Sequence, residues 1–198
     1  MARRNDHTRE ELLDMALDKT EKLLAKKPMS AISARQIANE MGYTVGTLYT
    51  LYENVNDLFI HIYARTLDQL YQACVKSIDR IEDPLEKIRA CGYVYLSLAY
   101  KQPHVWEMMF SSQLSLETNY SWVEEKVQSL FDLLNSLLKE LETAQSEKEI
   151  ETAGQVLWSG VHGITVLGLQ HRLSDTQDDH KKLIDNLVDC YTLGWMKK

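Results

Sequence analysis

The chain has 198 residues, 44% of them hydrophobic, with 22 Lys and Arg against 29 Asp and Glu for a net charge of −7. That is enough apolar material for one domain, or a small domain on a larger one, with a real core, and the acidic balance argues against nucleic-acid binding by the whole surface. The charge is uneven: residues 1–60 hold eight basic and nine acidic side chains, net −1, and the remainder fourteen and twenty, net −6, which fits a local binding face held on an acidic body.

Cys74, Cys91 and Cys190 are few, scattered and odd in number, without a CxxC or Cys/His ligand spacing. They read as reduced thiols, and neither a metal nor a cofactor is expected. The opening MARRNDHTREE lacks the apolar segment of a secretion signal, and no apolar run is long enough to span a bilayer. A soluble cytoplasmic protein is the expectation.

Arg3, Arg4 and Arg9 make the first residues basic, either as a solvated tail or as an arm touching phosphates or the minor groove. Thr8 with Glu11 predicts a capped helix over 8–27, with Leu13, Ala16, Leu17, Thr20 and Leu24 inward and Lys26-Lys27-Pro28 as its stop. Ser33 with Gln36 is a second capping box, on a helix whose apolar face is Ile37, Ala38 and Met41. Gly42 suits the left-handed position after it. Thr44 caps the next helix, with Leu48 and Leu51 inward and Thr44, Val45, Thr47 and Thr50 outward. Helix, glycine turn, helix is the helix-turn-helix layout, whose second helix enters the major groove of DNA.

Asn54 with Asp57 then opens a long helix from Val55 to Ile81. Asp83-Pro84-Leu85-Glu86 starts another, running to about Tyr100 and apolar nearly all round, so central and buried. Gln102-Pro103 breaks it before a short helix at 104–110. A polar stretch leads to a helix at 121–143, and Ser146 with Glu149 caps the next, which runs through WSGVHG to Leu173. After a polar loop at 174–178, Asp179 is the expected cap of a last helix to about Met196. No strand-like alternation occurs, so the expectation is an all-α chain of about nine helices: a three-helix head on a larger helical body, divided as 1–56 and 57–198.

The run IANEMGYTVGTLYTLYENVNDLF resembles the N-terminal domain of the TetR family of bacterial transcriptional regulators, through Ile37-Ala38, Gly42, Gly46-Thr47-Leu48-Tyr49, Tyr52 and Leu58. YVYLSLAYKQPHVWEMMF and LWSGVHGITVL extend the resemblance into the body, the latter through a Trp-x-x-x-His-Gly element. The resemblance implies dimerisation through the last two helices, an internal cavity for a small-molecule effector, and Tyr49 as a phosphate contact.

For DNA, Ser33, Thr44 and Tyr49 offer hydroxyls and Arg35 a charge to phosphates. Gly46 permits close backbone approach, and Val45, Thr47 and Thr50 offer methyls to thymine. The helix carries no Arg, Lys, Gln or Asn for bidentate base contacts, and Val55 stands where many members of the family have lysine. Modest affinity, read through methyls and DNA shape, is therefore expected.

For an effector, the candidate lining is Tyr93, Tyr95, Trp106, Phe110, Trp122, Trp158 and His162, large rings with a few polar tips. Trp158 and His162 lie one turn apart, as a pocket wall or as core filling. For a dimer seam, Gly160 and Gly163 make a strip without bulk, flanked by Leu167, with Leu187 and Tyr191 on the last helix. The leading expectation is a homodimeric repressor of a palindromic operator, released by a small, largely apolar effector. The alternatives are a DNA-binding protein controlled by a protein partner with no ligand pocket, and a helical carrier. No HExxH, glycine-rich phosphate loop or nucleophile–base spacing points to an enzyme.

Overall fold

The computed structural model describes residues 7–114, 120–141, 144–173 and 176–197, and these form nine α-helices and one 3-10 turn, with no strand among them. The helices are α1 (Arg9–Leu24), α2 (Ala34–Met41), α3 (Val45–Leu51), α4 (Val55–Ile78), α5 (Pro84–Lys101), α6 (Pro103–Met109), α7 (Ser121–Lys139), α8 (Glu147–Leu169) and α9 (Gln177–Trp195), with the 3-10 turn at Met29–Ala31. Arg3 and Arg4, and the first two residues of the 174–178 loop, lie outside the described residues. No described helix is long and apolar enough to cross a membrane.

The local signals that start these helices act as read. Thr8, Ser33 and Ser146 each close a reciprocal capping box, with Glu11, Gln36 and Glu149 respectively, and Thr44 caps α3 through the Thr47 amide. Gly42 follows α2 at φ 77°, a left-handed conformation in which a β-carbon is strained. The expected cap of α9 is corrected: Thr176 accepts from the Asp179 amide, and Asp179 is the third helical residue, its carboxylate 2.5 Å from the Thr176 hydroxyl. Helix ends fall short of the sequence reading: α1, α4, α7 and α8 end at Leu24, Ile78, Lys139 and Leu169. Apolar periodicity continues past the last intrahelical bond, so it overestimates length.

Packing divides the chain into two compact units, Met1–Thr66 with Gln102–Tyr120, and Leu67–Lys101 with Ser121–Lys198. This differs from the expected division at 56/57, because the first turns of α4 pack with the head. The Tyr52 ring meets His61 edge-on at 5.3 Å, and Arg65 bonds Asp18 at 2.6 Å and Asp14 at 3.1 Å on α1. Inside the first unit the core includes Ala16, Leu24, Ile37, Ala38, Met41 and Leu48 of α1, α2 and α3, together with Leu58 and Ile62 of α4 and Trp106 and Met108 of α6.

In the second unit α5 is central as expected, packing on α7, α8 and α9, while α8 also packs on α7 and α9. Its fully buried threonines and Thr20 and Thr66 of the head share one device: Thr165 and Thr192 donate to the carbonyls of Val161 and Val188 four residues back, Thr20 and Thr66 to those of Ala16 and Ile62. The hydroxyl is thereby satisfied within its own helix. His180, fully buried at the start of α9, has Nδ1 2.8 Å from the Tyr100 hydroxyl of α5.

Candidate nucleic-acid interface and ring cluster

In the head, α2, the Gly42 turn and α3 present one exposed edge. Ser33, Arg35, Thr44, Gly46, Tyr49 and Thr50 are exposed, Tyr49 at 51%, while Val45 and Thr47 are half-buried. The expected DNA-binding residues therefore share the surface that surrounds α3. Their hydroxyls are not equally available. Thr50 donates to the Thr47 carbonyl at 2.7 Å, Thr44 accepts from the Thr47 amide at 3.2 Å, and the Thr44 and Thr47 hydroxyls bond each other at 3.1 Å. A phosphate oxygen only accepts, so Thr50 would have mainly its methyl group to offer DNA, whereas Thr44 keeps a hydrogen to give when Thr47 donates to it.

Two further residues belong to this edge: His7, not singled out from sequence, and Arg9 of the expected basic arm. His7 Nδ1 lies 2.7 Å from the Tyr43 hydroxyl, and Arg9 donates to the Thr50 carbonyl at 3.5 Å. The chain entering α1 is thus tied to the turn before α3 and to the end of α3. The only sequence signal for this was the basic, aromatic character of the two stretches.

Gly46 is exposed, and a β-carbon there would meet only the Thr44 hydroxyl oxygen, at an ordinary 3.6 Å. Packing within the chain does not require a glycine. Gly46→Ala is expected to leave the melting temperature unchanged or raise it, since alanine favours helix by about 1 kcal/mol. The same change should weaken binding to duplex DNA if this exposed face is the one that meets the groove, because the added methyl would stand on it. Parallel thermal melts and fluorescence anisotropy separate the two effects.

In the second unit the rings gather around His162. Its ring stacks on Trp158 at 5.5 Å and 20°, Tyr95 Oη lies 2.8 Å from its Nδ1, and Phe131 meets Trp158 edge-on at 5.6 Å. Tyr95 is buried on α5, while Trp158 and His162 are half-buried on α8. Phe131, on α7, is an addition to the expected lining. Tyr93 does something else: its hydroxyl donates to Asp185 of α9, next to the Arg89–Asp189 ion pair. Two residues from Tyr95 on a helix, it looks the other way. Trp106 and Phe110 pack together at 5.7 Å within the first unit, where Trp106 is buried and Phe110 is 43% exposed. Trp122 is half-buried near the start of α7. A cleft of about 320 Å³ in the first unit is lined by Asp18, Glu21, Lys22, Ala25, Gln102 and Val105, a charged lining unlike the apolar one expected for an effector.

Burial holds His162 below the ordinary histidine value of 6.5, and also His61, where Asp57 opposes the shift. A depressed histidine pKa means the unfolded chain takes the proton first. Stability is therefore complete above the ordinary value and declines as the pH falls through it towards the folded one. The melting temperature is expected to drop between about pH 7 and about pH 5, with a shallower slope in His162→Gln. An unchanged slope would remove His162 from the account.

Among the seam candidates, Gly160 is occupied by the chain itself: a β-carbon there would sit 2.5 Å from Leu187 Cδ2 of α9. Gly163 has nothing within 4 Å of that position, and Leu167 is 40% exposed. Val156 and Leu183, at 40% and 41% exposure, continue the two apolar stripes, Val156-Gly160-Gly163-Leu167 on α8 and Leu183-Leu187-Cys190-Gly194 on α9. Each stripe follows the i, i+4, i+7, i+11 spacing of one helix face, and the Gly160–Leu187 contact joins them. Tyr191 is half-buried, its phenol pushed up by that burial.

The sequence matches the profile of Tetracyclin repressor-like C-terminal domains over residues 88–191, and that of the bacterial regulatory proteins of the tetR family over residues 16–62. It is similar to the HTH-type nicotine-responsive transcriptional repressor HdnoR of Paenarthrobacter nicotinovorans, 24% identical over 195 residues that cover 92% of this chain and 93% of that one. Its fold is that of a protein of unknown function from Rhodococcus sp. RHA1, with a TM-score of 0.80 at 18% identity over 98% of each chain. It is also that of the fatty acid degradation regulator FadR from Bacillus halodurans, with a TM-score of 0.70 at 15% identity over 92% of this chain and 95% of that one.

Proposed function

The chain belongs to the TetR family of bacterial transcriptional regulators, and from that premise we propose that it is a homodimeric repressor of a palindromic operator, released by a small, largely apolar effector. The observation that carries the reading is the exposed edge of α3, with Tyr49 half out in solvent and Gly46 free of any packing role. A surface helix with an open glycine and a capped, rigid entry is suited to close approach to a groove. The division of labour proposed for the chain is operator binding by 1–56 and effector binding and dimerisation by 57–198.

The joined stripes on α8 and α9 support the dimer, because an apolar face running over two helices is covered by a second copy at low cost. The ring cluster supports the effector site. Trp158 stacked on His162 is suited to a flat ring, and the named responsiveness of HdnoR to nicotine makes heteroaromatic amines the first compounds to try. A ligand with greater affinity for one form of the dimer draws the population to it, and release follows if the two heads of that form no longer fit successive major grooves. Mutual contact among Tyr95, His162, Trp158 and Phe131 favours the second reading, control by a protein partner, since the rings fill volume a ligand would take.

The test is anisotropy titration of labelled duplexes drawn from the DNA around the gene. Binding to one palindromic fragment with a shallow salt dependence is expected, and a steep slope would contradict the sparsely charged reading face. Release by at least one compound of a hydrophobic and heteroaromatic panel is the second expectation. If every compound leaves the complex intact, the effector half of the proposal is lost and the partner-controlled reading replaces it.

A further inference from the structure

Cys74 and Cys91 lie 17 residues apart in sequence, near the end of α4 and in the first half of α5, with 79–83 as the link between the helices. The Cys74 thiol points at the Cys91 carbonyl oxygen, 4.0 Å away, so the side chain of one cysteine reaches the backbone of the other across the hairpin. Both are free in this structure; Cys74 is buried and Cys91 half-buried. Two free cysteines brought together across a helical hairpin, one less buried than the other, are the layout of a dithiol in which one cysteine attacks and the other resolves.

We propose that Cys74 and Cys91 form a reversible intrachain disulfide on reaction with a hydroperoxide, Cys91 attacking and Cys74 resolving. The Cys91 thiolate attacks one peroxide oxygen, the O–O bond breaks, and Cys91 becomes a sulfenic acid as hydroxide or alkoxide leaves and takes up the proton that Cys91 gave up. Cys74 sulfur then attacks the sulfenic sulfur, its own proton leaving with the hydroxyl group as water. Two thiols have lost two electrons and two protons, and one peroxide has been reduced to two waters, or to water and an alcohol. An external dithiol restores the pair by exchange.

The order of events follows from the surroundings. The neighbouring Cys74 thiol holds the Cys91 pKa below the ordinary cysteine value, while Cys91 and then burial raise the Cys74 pKa. The thiolate therefore forms on the less buried of the two cysteines. The cross-link would close the turn between α4 and α5 and fix the last third of α4, a helix that begins at Val55 directly behind the helix-turn-helix. Cys190 is exposed on α9, its thiol 3.7 Å from Asn186 Oδ1 with no cysteine beside it, and serves as an internal comparison.

The experiment treats the full-length reduced protein with hydrogen peroxide, blocks remaining thiols, and reads intact mass and tryptic peptides without reductant. The expected result is the loss of two hydrogen atoms per chain, peptides 66–76 and 90–101 leaving joined, and full reversal by dithiothreitol. Cys74→Ser should strand Cys91 as a sulfenic acid that dimedone traps. Cys91→Ser should leave Cys74 unoxidised. Mass gained only as oxygen atoms, a cross-link through Cys190 instead, or Cys74 and Cys91 no more reactive than Cys190 would each overturn the proposal. The first readout is made on the unaltered chain, so a folding failure of either serine variant does not spare it.

Discussion

Leu48→Ala is expected to lower the stability of the head by about 2–5 kcal/mol, and operator binding is expected to fall with it. Leu48 is 1% exposed and sits on α3 among Ile37, Ala38 and Met41 of α2 and Ala16 and Leu24 of α1, which are equally buried. Removing its isobutyl group leaves a cavity in a close-packed core, whose neighbours can relax only partly to fill it. A small unit with stability of roughly 5–15 kcal/mol loses a substantial share to one such cavity. Tyr49, the next residue, is the control, because it is 51% exposed. Tyr49→Phe should leave the melt within about 0.5 kcal/mol of the parent, yet cost about tenfold in DNA affinity if its hydroxyl bonds a phosphate. Melting and anisotropy on both variants separate the two kinds of loss. If Leu48→Ala melts like the parent, α3 does not depend on the core assigned to it.

The contrast between those neighbours indicates what could be read without coordinates. Capping is a local exchange between a hydroxyl and an amide three residues on, so Thr8, Ser33, Thr44 and Ser146 were legible as helix starts. Thr176 was missed because Asp179, three residues later, is an equally good cap by residue type, and only the backbone decides between them. Trp158 and His162 were legible as a pair because i and i+4 share a face, whereas Phe131 and Tyr95 join them only through the packing of α7 and α5 on α8. Tyr93 stands apart for the opposite reason: composition grouped it with Tyr95, while helical geometry turns it towards Asp185. The cysteine pair was invisible to a search for close spacing, because a helical hairpin brings together residues 17 apart. Gly160 was read as room for another chain, and the structure fills that room with Leu187.

That last point sharpens the remaining prediction. If the stripes of α8 and α9 are the seam between two copies, Leu167→Glu combined with Leu183→Glu is expected to give a folded monomer. Both side chains are about two-fifths exposed, at 40% and 41%, so each charge costs a single chain within about 0.5 kcal/mol. Across a two-fold seam the same carboxylates are desolvated and face their own copies, at a cost of several kcal/mol for each buried charge. Loss of the dimer turns the second half-site contact from an intramolecular event into a bimolecular one, and the gain from such linkage is about 10²–10⁴-fold. Analytical ultracentrifugation should show one sedimenting species of half the mass, and operator affinity should fall by a factor in that range while the thermal melt keeps its shape. Gly160→Val is the complementary change, since its side chain would collide with Leu187 inside the same chain. It should lower the melting temperature of the monomeric double variant as well as of the parent. A parent that loses stability only as a dimer would place the Gly160 contact between chains and not within one.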